Sequence, residues 1–405
     1  MSKIKEFFRR RSPADIFVMA VSASFAIYLI FYAFYGNGNF IDIFFSRCED
    51  LFMDFFNSVR DASQGEEVYT VRHVIYPPMA NLIYLICSRF LPTVYDNSAW
   101  NNRLTWTKYP SAIIFILLFT IALVLICYTL AHEKLIGGRK TKFLFAFFAI
   151  FNVPMLYMLE RGNMILFCMI SMMIYAFTYN SPKKSYRELG LIALAFAFSL
   201  KLYPAIFGWF LIADKRYKEA IRCIIYGFLM LIIPSFFFGG PMCFVQIFKN
   251  ITSFSSGISS ISVLAAYTNI PSSIWSILAY SWVLICFAAF LVSPFVYTNK
   301  WRTWMLGICF ILSVPSLTGI YVWAFFIIPI ILMSNSGKTK AKDWLVFGIT
   351  LTIFIFTLFR FNNALTVNSF LLYPVTAALS IILVADAAVT GVRKYKKLKT
   401  LSGEK

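Results

Sequence analysis

Groups that can move protons are concentrated in one stretch, from residue 42 to residue 78. It holds seven of the chain's 18 Asp and Glu residues: Asp42, Glu49, Asp50, Asp54, Asp61, Glu66 and Glu67. The opposing charges are Arg47, Arg60 and Arg72, and His73 is one of two histidines in the chain. A carboxylate beside a hydroxyl can accept its proton while the oxygen attacks an electrophile. We therefore treat this stretch as the candidate catalytic segment.

Within it, Leu51–Val59 has the pattern of a short amphipathic helix. At helical spacing, Asp50, Asp54 and Asn57 or Ser58 share one face, and the leucine and phenylalanine side chains can bury the others. Such a helix can hold a polar face rigidly beside a ligand.

The rest of the chain predicts an all-α polytopic membrane protein. Hydrophobic residues make up 60% of it and the mean hydropathy is +0.73, whereas soluble chains are roughly 45–50% apolar. Several apolar stretches reach the ~20 residues needed to cross a bilayer. The first follows five basic residues and has no small-residue cleavage site, so we expect a retained helix and not a removed signal peptide.

The net charge of +19 raises the question of nucleic acid, but its distribution points to a membrane. Lys and Arg fall mainly in the termini and in short alternating loops, the pattern of cytoplasmic segments. We predict both termini in the cytoplasm, a cytoplasmic (plasma) membrane location and no nucleic-acid partner. The basic tail 393–399 is an orientation signal, with anionic lipid contact as a second role. The 8 cysteines are scattered without a CxxC, so neither disulfides nor a metal site is implied.

Apolar runs and basic loops together predict about twelve transmembrane or half-spanning helices in one membrane domain, 1–405. A first module, 1–238, includes an outer loop at 37–108, and residues 239–405 hold a second outer loop and the C-terminal helices. The predicted spans are Asp15–Tyr35, Tyr109–Ala131, Lys142–Met158, Gly162–Tyr179, Glu219–Phe238, Pro271–Tyr297, Thr303–Val314, Tyr321–Met333, Asp343–Arg360 and Ser369–Ala388.

Two segments do not fit as full spans. Met79–Leu91 is moderately long, and counting it as a span would place the basic loop Lys134–Lys142 outside, so we predict an interfacial or re-entrant helix. Leu189–Ala213 must leave and return, yet it is too short for two spans at 1.5 Å per residue. We predict two short helices broken near Lys201–Pro204.

Ionisable residues at membrane depth are functional candidates by default, and three sites qualify. They are Glu160-Arg161-Gly162-Asn163, Lys201 in SLKLYP, and Arg360 with Asn362 and Asn363. All are predicted on the side of the acidic loop, which is the segment 42–78 of the outer loop, and a basic cluster there would suit a phosphate-bearing ligand. Simpler roles stay open: a surface ion pair at a turn, a snorkelling lysine and a helix-end anchor. His132 is expected to be structural.

Several motifs follow one another in a familiar order. MDFFN, GEEVY and YPP lie in the outer loop, ERGN opens a membrane segment, and LKLYP lies in a following helix. The set resembles the GT-C superfamily of membrane glycosyltransferases and is most like glycosyltransferase family 87, whose members use polyprenyl-phosphate sugars. The arrangement around RGN and KxYP is also similar to that of the GPI mannosyltransferase catalytic subunit. The likeness covers roughly residues 40–215.

The resemblance implies a GT-C fold and an inverting transfer outside the cytoplasm. A hexose such as mannose or glucose would pass from a polyprenyl-phosphate donor to a glycan or glycolipid of the cell envelope. The family's first outer loop carries a catalytic Asp that acts as general base; Asp54 matches it best by position, and Asp50 is the alternative. The leaving phosphate needs cations, for which Lys201, Arg161 and Arg360 are candidates.

The other residues predicted to bind substrate are Glu160, Asn163, His73, Tyr76, Tyr203 and Tyr321. Some family members carry a histidine in a late outer loop; residues 315–321 here have none, and Tyr321 is the candidate replacement. No cofactor is predicted. No DxD motif is present, which argues against a required metal and leaves a divalent cation open.

Three other classes of membrane protein are alternatives to this one. A transporter or lipid-linked glycan flippase favours inverted repeats and charges near the midplane, whereas these charges gather at one face. A polysaccharide polymerase would carry a large late outer loop, for which residues 239–270 are a weak candidate. A non-catalytic scaffold would not need a lysine at membrane depth.

Overall fold

The computed structural model describes residues 11–35, 52–91, 109–257, 270–314, 320–337, 339–356, 360–362 and 365–401. Seventeen α-helices lie in these ranges, together with two 3-10 helices and one two-stranded ribbon. The helices up to residue 200 are α1 Pro13–Tyr35, α2 Met53–Ala62, α3 Glu67–Thr70, α4 Pro78–Ser88, α5 Pro110–Lys134, α6 Arg139–Ile150, α7 Val153–Arg161, α8 Ile165–Thr178 and α9 Lys184–Leu200.

The later helices are α10 Trp209–Ala213, α11 Tyr217–Ser235, α12 Cys243–Gly257, α13 Ser272–Val296, α14 Lys300–Ser313, α15 Ile327–Asn335, α16 Ala341–Leu351 and α17 Val367–Leu401. The 3-10 helices are Tyr203–Gly208 and Ile320–Phe326. Strands β1 Arg360–Asn362 and β2 Leu365–Thr366 pair antiparallel.

Within the described residues, four helices are long and apolar enough to cross a membrane: α1, α5, α13 and α17. The bent pair α6 and α7 makes a fifth if it counts as one span. The prediction of a multi-pass, helical membrane protein is therefore confirmed. Helices are also present at Pro78–Ser88 and on both sides of Lys201, so the predicted break between two short helices is confirmed as well.

One predicted span is bent, and its sequence explains why. The segment predicted as Lys142–Met158 contains Pro154, which has no N–H to continue the ladder of α6. The helices on either side meet at 48°. The Asn152 side chain supplies hydrogen bonds to backbone groups on both sides of the bend. Its amide nitrogen donates to the carbonyls of Phe148 and Ala149, and its oxygen accepts from Met155 N–H.

Two other predicted spans differ at their ends. The span Asp343–Arg360 is wrong beyond Leu351, where α16 ends after 11 residues, and Arg360 opens β1 instead. After Leu351 the chain forms a turn instead of continuing the helix: the N–H groups of Ile353 and Phe354 donate to the carbonyls of Thr350 and Leu351. The span Ser369–Ala388 is longer than predicted, since α17 runs on through the basic tail.

The chain folds into two compact units, each built from separate stretches of sequence. The first comprises Met1–Ser46, Ala131–Leu156 and Ser259–Lys405, and the second comprises Arg47–Leu130 and Tyr157–Ile258. The predicted modules 1–238 and 239–405 stay a prediction. Most candidate site residues belong to the second unit.

In the first unit a largely buried ion network joins helices α14, α16 and α17 to the residue that follows α13. Arg302 in α14 pairs with Asp343 of α16, and its Nε lies 3.6 Å from Asp386 of α17. Asp386 also accepts from Tyr297, directly after α13, and pairs with Lys342. The sequence analysis did not single out these residues.

Candidate active site

The acidic loop contributes helix α2 to the second unit. Phe55, Phe56, Val59 and Ala62 are buried on one side of it. Asp54 lies in the first turn, where the helix dipole favours a negative charge. Phe52 precedes the helix with a left-handed backbone, φ 53°, a conformation that a bulky residue adopts only when neighbouring contacts hold it.

The ERGN motif ends helix α7 in a tight hydrogen-bonded turn. Gly162 N–H donates to Leu159 O at 3.1 Å, and Asn163 N–H donates to Met158 O at 3.5 Å. Gly162 has a φ of +60°, so the pattern is a Schellman motif with glycine in its left-handed position. The turn places the side chains of Arg161 and Asn163 on either side of a glycine.

Gly162 also lets α2 approach the turn. A β-carbon at this position would lie 2.8 Å from Phe55 Cβ and 2.9 Å from Phe52 Cδ1, closer than van der Waals contact allows. Phe52 N–H donates to the carbonyl of Glu160 at 2.6 Å. The ERGN turn and the start of α2 are thus docked backbone to backbone.

Asp54 is held by two residues of that turn. Arg161 Nε lies 3.1 Å and Nη2 lies 2.5 Å from Asp54 Oδ1, and Asn163 Nδ2 lies 2.7 Å from Oδ2. The Asp54 and Arg161 side chains are each 18% exposed. The carboxylate is therefore fixed in orientation and still partly exposed on the protein surface.

Asn163 and Tyr76 extend the cluster to Lys201. The Asn163 amide nitrogen donates to the Tyr76 hydroxyl at 3.1 Å, and its oxygen accepts from Ile165 N–H at the start of α8. Lys201 Nζ lies 4.0 Å from the centre of the Tyr76 ring, a cation–π contact. Lys201 ends α9 with an extended backbone just before the 3-10 helix, so the helix break presents its ammonium to the cluster.

Five predicted site residues are thus brought together: Asp54, Tyr76, Arg161, Asn163 and Lys201. Glu160 is 2% exposed and contributes its carbonyl. Tyr203 is half-buried at the start of the 3-10 helix. His73 is exposed, with a φ of 52°, and among the described residues it has no hydrogen bond to the cluster.

The remaining predicted site residues lie elsewhere. Asp50 is outside the described residues. Tyr321 is half-buried in the 3-10 helix Ile320–Phe326 of the first unit. Arg360 opens β1 in the same unit, and only its backbone is described.

A second carboxylate on α2, Asp61, has a different environment. It pairs with Arg60 at 2.7 Å, and its side chain is 14% exposed. Burial raises the pKa of the Asp61 carboxyl despite that arginine. Asp54 and Asp61 thus share a helix, a similar exposure and an arginine partner, but only Asp54 has the asparagine of the ERGN turn.

Sequence reasoning missed the residues behind Tyr76. Asn81, in an otherwise apolar helix, is fully buried and donates to the Tyr69 hydroxyl at 2.8 Å. Tyr69 in turn donates to the Tyr76 carbonyl at 3.1 Å. An asparagine in the apolar run PMANLIYLI was the available signal.

Comparison with known families came to one result. The profile of a family described as Glycosyltransferase family 87 matches residues 74–317, which is more than half of the chain. No curated protein and no solved structure matches the chain. Tyr76, Arg161, Asn163 and Lys201 lie within the matched range, whereas Asp54 precedes it and joins them through the folded structure.

Proposed function

The chain belongs to glycosyltransferase family 87, a GT-C family, and on that premise we propose that it transfers a hexose with inversion from a polyprenyl-phosphate donor to a glycan or glycolipid acceptor outside the cytoplasm. Family membership is the basis for the enzyme class and for the lipid-linked donor. The observation that carries the site is the carboxylate of Asp54, which the ERGN turn fixes in one cluster with Tyr76 and Lys201.

The proposed step is a single displacement at the anomeric carbon. The acceptor hydroxyl oxygen attacks from the side opposite the phosphate, Asp54 takes the hydroxyl proton, and the bond from the anomeric carbon to the phosphate oxygen breaks. The products are the glycosylated acceptor and polyprenyl phosphate.

The geometry favours Oδ2 of Asp54 as the proton acceptor. A carboxylate offers about four lone-pair sites. Oδ1 already accepts two hydrogen bonds from Arg161, while Oδ2 accepts one from Asn163. The remaining site on Oδ2 is the one we assign to the acceptor hydroxyl.

The cations divide into two roles. Arg161 is engaged with Asp54 through two nitrogens, so we assign it to orienting the base. Lys201 rests on the face of an aromatic ring, and within the part of the chain that the structure describes its ammonium donates to no protein oxygen, so we assign it to the charge that develops on the leaving phosphate. Phe55 and Asn163 are among the residues that line a mainly apolar cavity. We assign this cavity to the first part of the donor's isoprenoid tail.

The test is the pair Asp54→Asn and Asp61→Asn in purified protein given radiolabelled polyprenyl-phosphate hexoses and membrane glycans. Asp54→Asn keeps the side-chain shape but cannot take the proton, so transfer should fall by ~10²–10⁴-fold with donor binding retained. Asp61→Asn, the matched control, should transfer at close to the wild-type rate.

Equal rates for the wild type and Asp54→Asn would reject Asp54 as the base. Loss of transfer in Asp50→Asn alone would move the base one turn earlier in the chain. Absence of transfer by the wild type from every polyprenyl-phosphate hexose tried, alongside movement of lipid-linked glycan across vesicles, would favour a flippase.

A further inference from the structure

Tyr76 sits at the end of a short loop that has little regular structure of its own. Residues 71–77 connect α3 to α4, and Tyr76 is followed by Pro77 and Pro78. Its ring faces Lys201 and its hydroxyl faces Asn163, so small shifts of this loop would move both contacts. Something outside the loop must fix its position.

Helix α12, more than 160 residues further along the chain, forms hydrogen bonds with this region through the side chain of Asn250. Asn250 Nδ2 donates to the carbonyl of Tyr69 at 2.9 Å and to that of Val74 at 3.0 Å. Its oxygen accepts from Gln246 Nε2 at 3.0 Å. One amide group thus ties the end of α3 to the middle of the loop.

The end of the loop is held by Tyr69 and Asn81. The Tyr69 hydroxyl donates to the Tyr76 carbonyl, and Asn81 Nδ2 donates to the Tyr69 hydroxyl and lies 3.4 Å from the Tyr76 carbonyl. Tyr69, Asn81 and Asn250 are 1%, 0% and 5% exposed. Buried hydrogen bonds of this kind are costly to break, since a freed polar group has no water to replace its partner.

An apolar cluster surrounds these hydrogen bonds. Val68 and Tyr69 of α3 pack with Phe238, Cys243 and Ile247. The opposite side of α12 is exposed at Val245, Phe248 and Lys249. One side of helix α12 therefore packs against α3 and the loop that contains Tyr76.

We propose that Asn250 is a positioning residue for sugar transfer: through Tyr69 and the backbone of residues 69–76, it sets Tyr76 so that the ring supports Lys201 and the hydroxyl holds Asn163. The inference rests on the proposed function for its catalytic part. The second outer loop then serves the reaction without touching the reacting atoms.

The kinetic test uses Asn250→Asp, which keeps the side-chain shape but replaces the donating amide with an acceptor facing two carbonyls. Displacing groups around a reaction centre by about 1 Å can cost up to ~10²-fold in rate, so kcat should fall roughly tenfold to a hundredfold. Lys249→Gln, on the exposed side of the same helix, should leave kcat unchanged. Equal kcat for Asn250→Asp and Lys249→Gln would overturn the proposal.

A second variant distinguishes the proposed effect from a folding defect in Asn250→Asp. Tyr69→Phe keeps the ring in the apolar cluster and removes only the hydroxyl that reaches Tyr76, so it should lower kcat in the same direction. In a Tyr76→Leu background, Asn250→Asp should add little further loss of kcat, because both changes act through one group. Full additivity of the two losses would show that Asn250 acts elsewhere.

A readout without substrate separates this inference from the proposed function. Incorporating 3-fluorotyrosine at position 76 gives a fluorine signal that senses the Lys201 ammonium and the Asn163 hydrogen bond. Lys201→Met and Asn250→Asp should each shift that signal, and Lys249→Gln should not. A shift in a protein that transfers no hexose would uphold the positioning and reject the reaction; an unshifted signal in Asn250→Asp would reject the positioning.

Discussion

Arg161 approaches Asp54 with two nitrogens of a rigid, planar group, and that geometry is what lysine cannot reproduce. Arg161→Lys keeps the charge but removes the paired contact to Oδ1. We expect kcat to fall by about tenfold to a hundredfold while the KM for the polyprenyl-phosphate donor stays near the wild-type value. Steady-state kinetics in detergent would measure both.

Lys201→Met provides the contrasting case. If Lys201 neutralises the donor phosphate, its loss should raise the donor KM as well as lower kcat. A rise in donor KM for Arg161→Lys of the same size would mean that Arg161 contacts the phosphate and that the division of roles proposed here is wrong.

The sequence named the five clustered residues but not the contacts among them. Motif order and membrane depth singled out Asp54, Arg161 and Lys201, because charged residues are rare in an apolar chain. Helical periodicity, however, predicts which face of α2 is polar but does not predict which residues contact that face. Asp54 and Arg161 are 107 residues apart, so only the folded chain joins them. Ser58 was expected on the polar face and is buried instead.

At the scale of elements, Gly162 fixes how closely α2 docks on the ERGN turn. Gly162→Ala adds a β-carbon to a left-handed residue and drives it into Phe52 and Phe55. We expect a loss of about 2–5 kcal/mol in the free energy of unfolding, from backbone strain and overpacking together. Thermal unfolding in detergent would measure it.

Gly65, in the turn between α2 and α3, offers a matched control. Its φ is also +60°, but a β-carbon there meets no atom within 4 Å. Gly65→Ala should therefore cost only the strain of about 1–2 kcal/mol and leave transfer intact. An equal loss of stability in the two variants would show that the contact with Phe52 and Phe55 contributes nothing.

The buried ion network of the first unit makes a second prediction about elements. Arg302→Met would leave Asp343, which is 4% exposed, as a buried carboxylate without its arginine. Breaking such a pair costs about 3–5 kcal/mol. Lys342→Met removes a partner of Asp386 that is 46% exposed, so it should cost at most about 1 kcal/mol. Unfolding temperatures of the two variants would test this, and a smaller drop for Arg302→Met would contradict it.

Helix positions were more predictable than helix ends. Apolar runs located α1, α5, α13 and α17 because length and hydropathy define a span without reference to neighbours. Hydropathy averaged over a window does not show local backbone conformation. It therefore did not predict the bend after α6, the end of α16 at Leu351 or the ribbon at Arg360. The Arg302 network was missed for a related reason: the hydropathy pattern locates Asp343 and Asp386 near the ends of predicted spans and does not show which charged residue each one meets.

At the scale of the whole molecule, the distribution of basic residues predicts on which side of the membrane the site lies. Ser185 is exposed in the first turn of α9, within the basic segment 183–187, and Lys201 directly follows the last residue of that helix. At 1.5 Å per residue the two positions are about 24 Å apart. That distance is close to the ~30 Å of a bilayer core, so a cytoplasmic Ser185 would place Lys201 and Asp54 near the outer surface.

Cysteine labelling of intact cells tests this arrangement. In a background from which the 8 native cysteines are removed, single cysteines at Ser63, Ser185 and Ser336 would be exposed to a membrane-impermeant maleimide. Ser63 directly follows α2, so Ser63→Cys should react from outside. Ser185→Cys and Ser336→Cys should react only after permeabilisation, because Lys and Arg mark their loops as cytoplasmic. Labelling of Ser63→Cys and Ser185→Cys from the same side would mean that α9 does not carry the chain across the membrane, and the site would then not lie on the outer face.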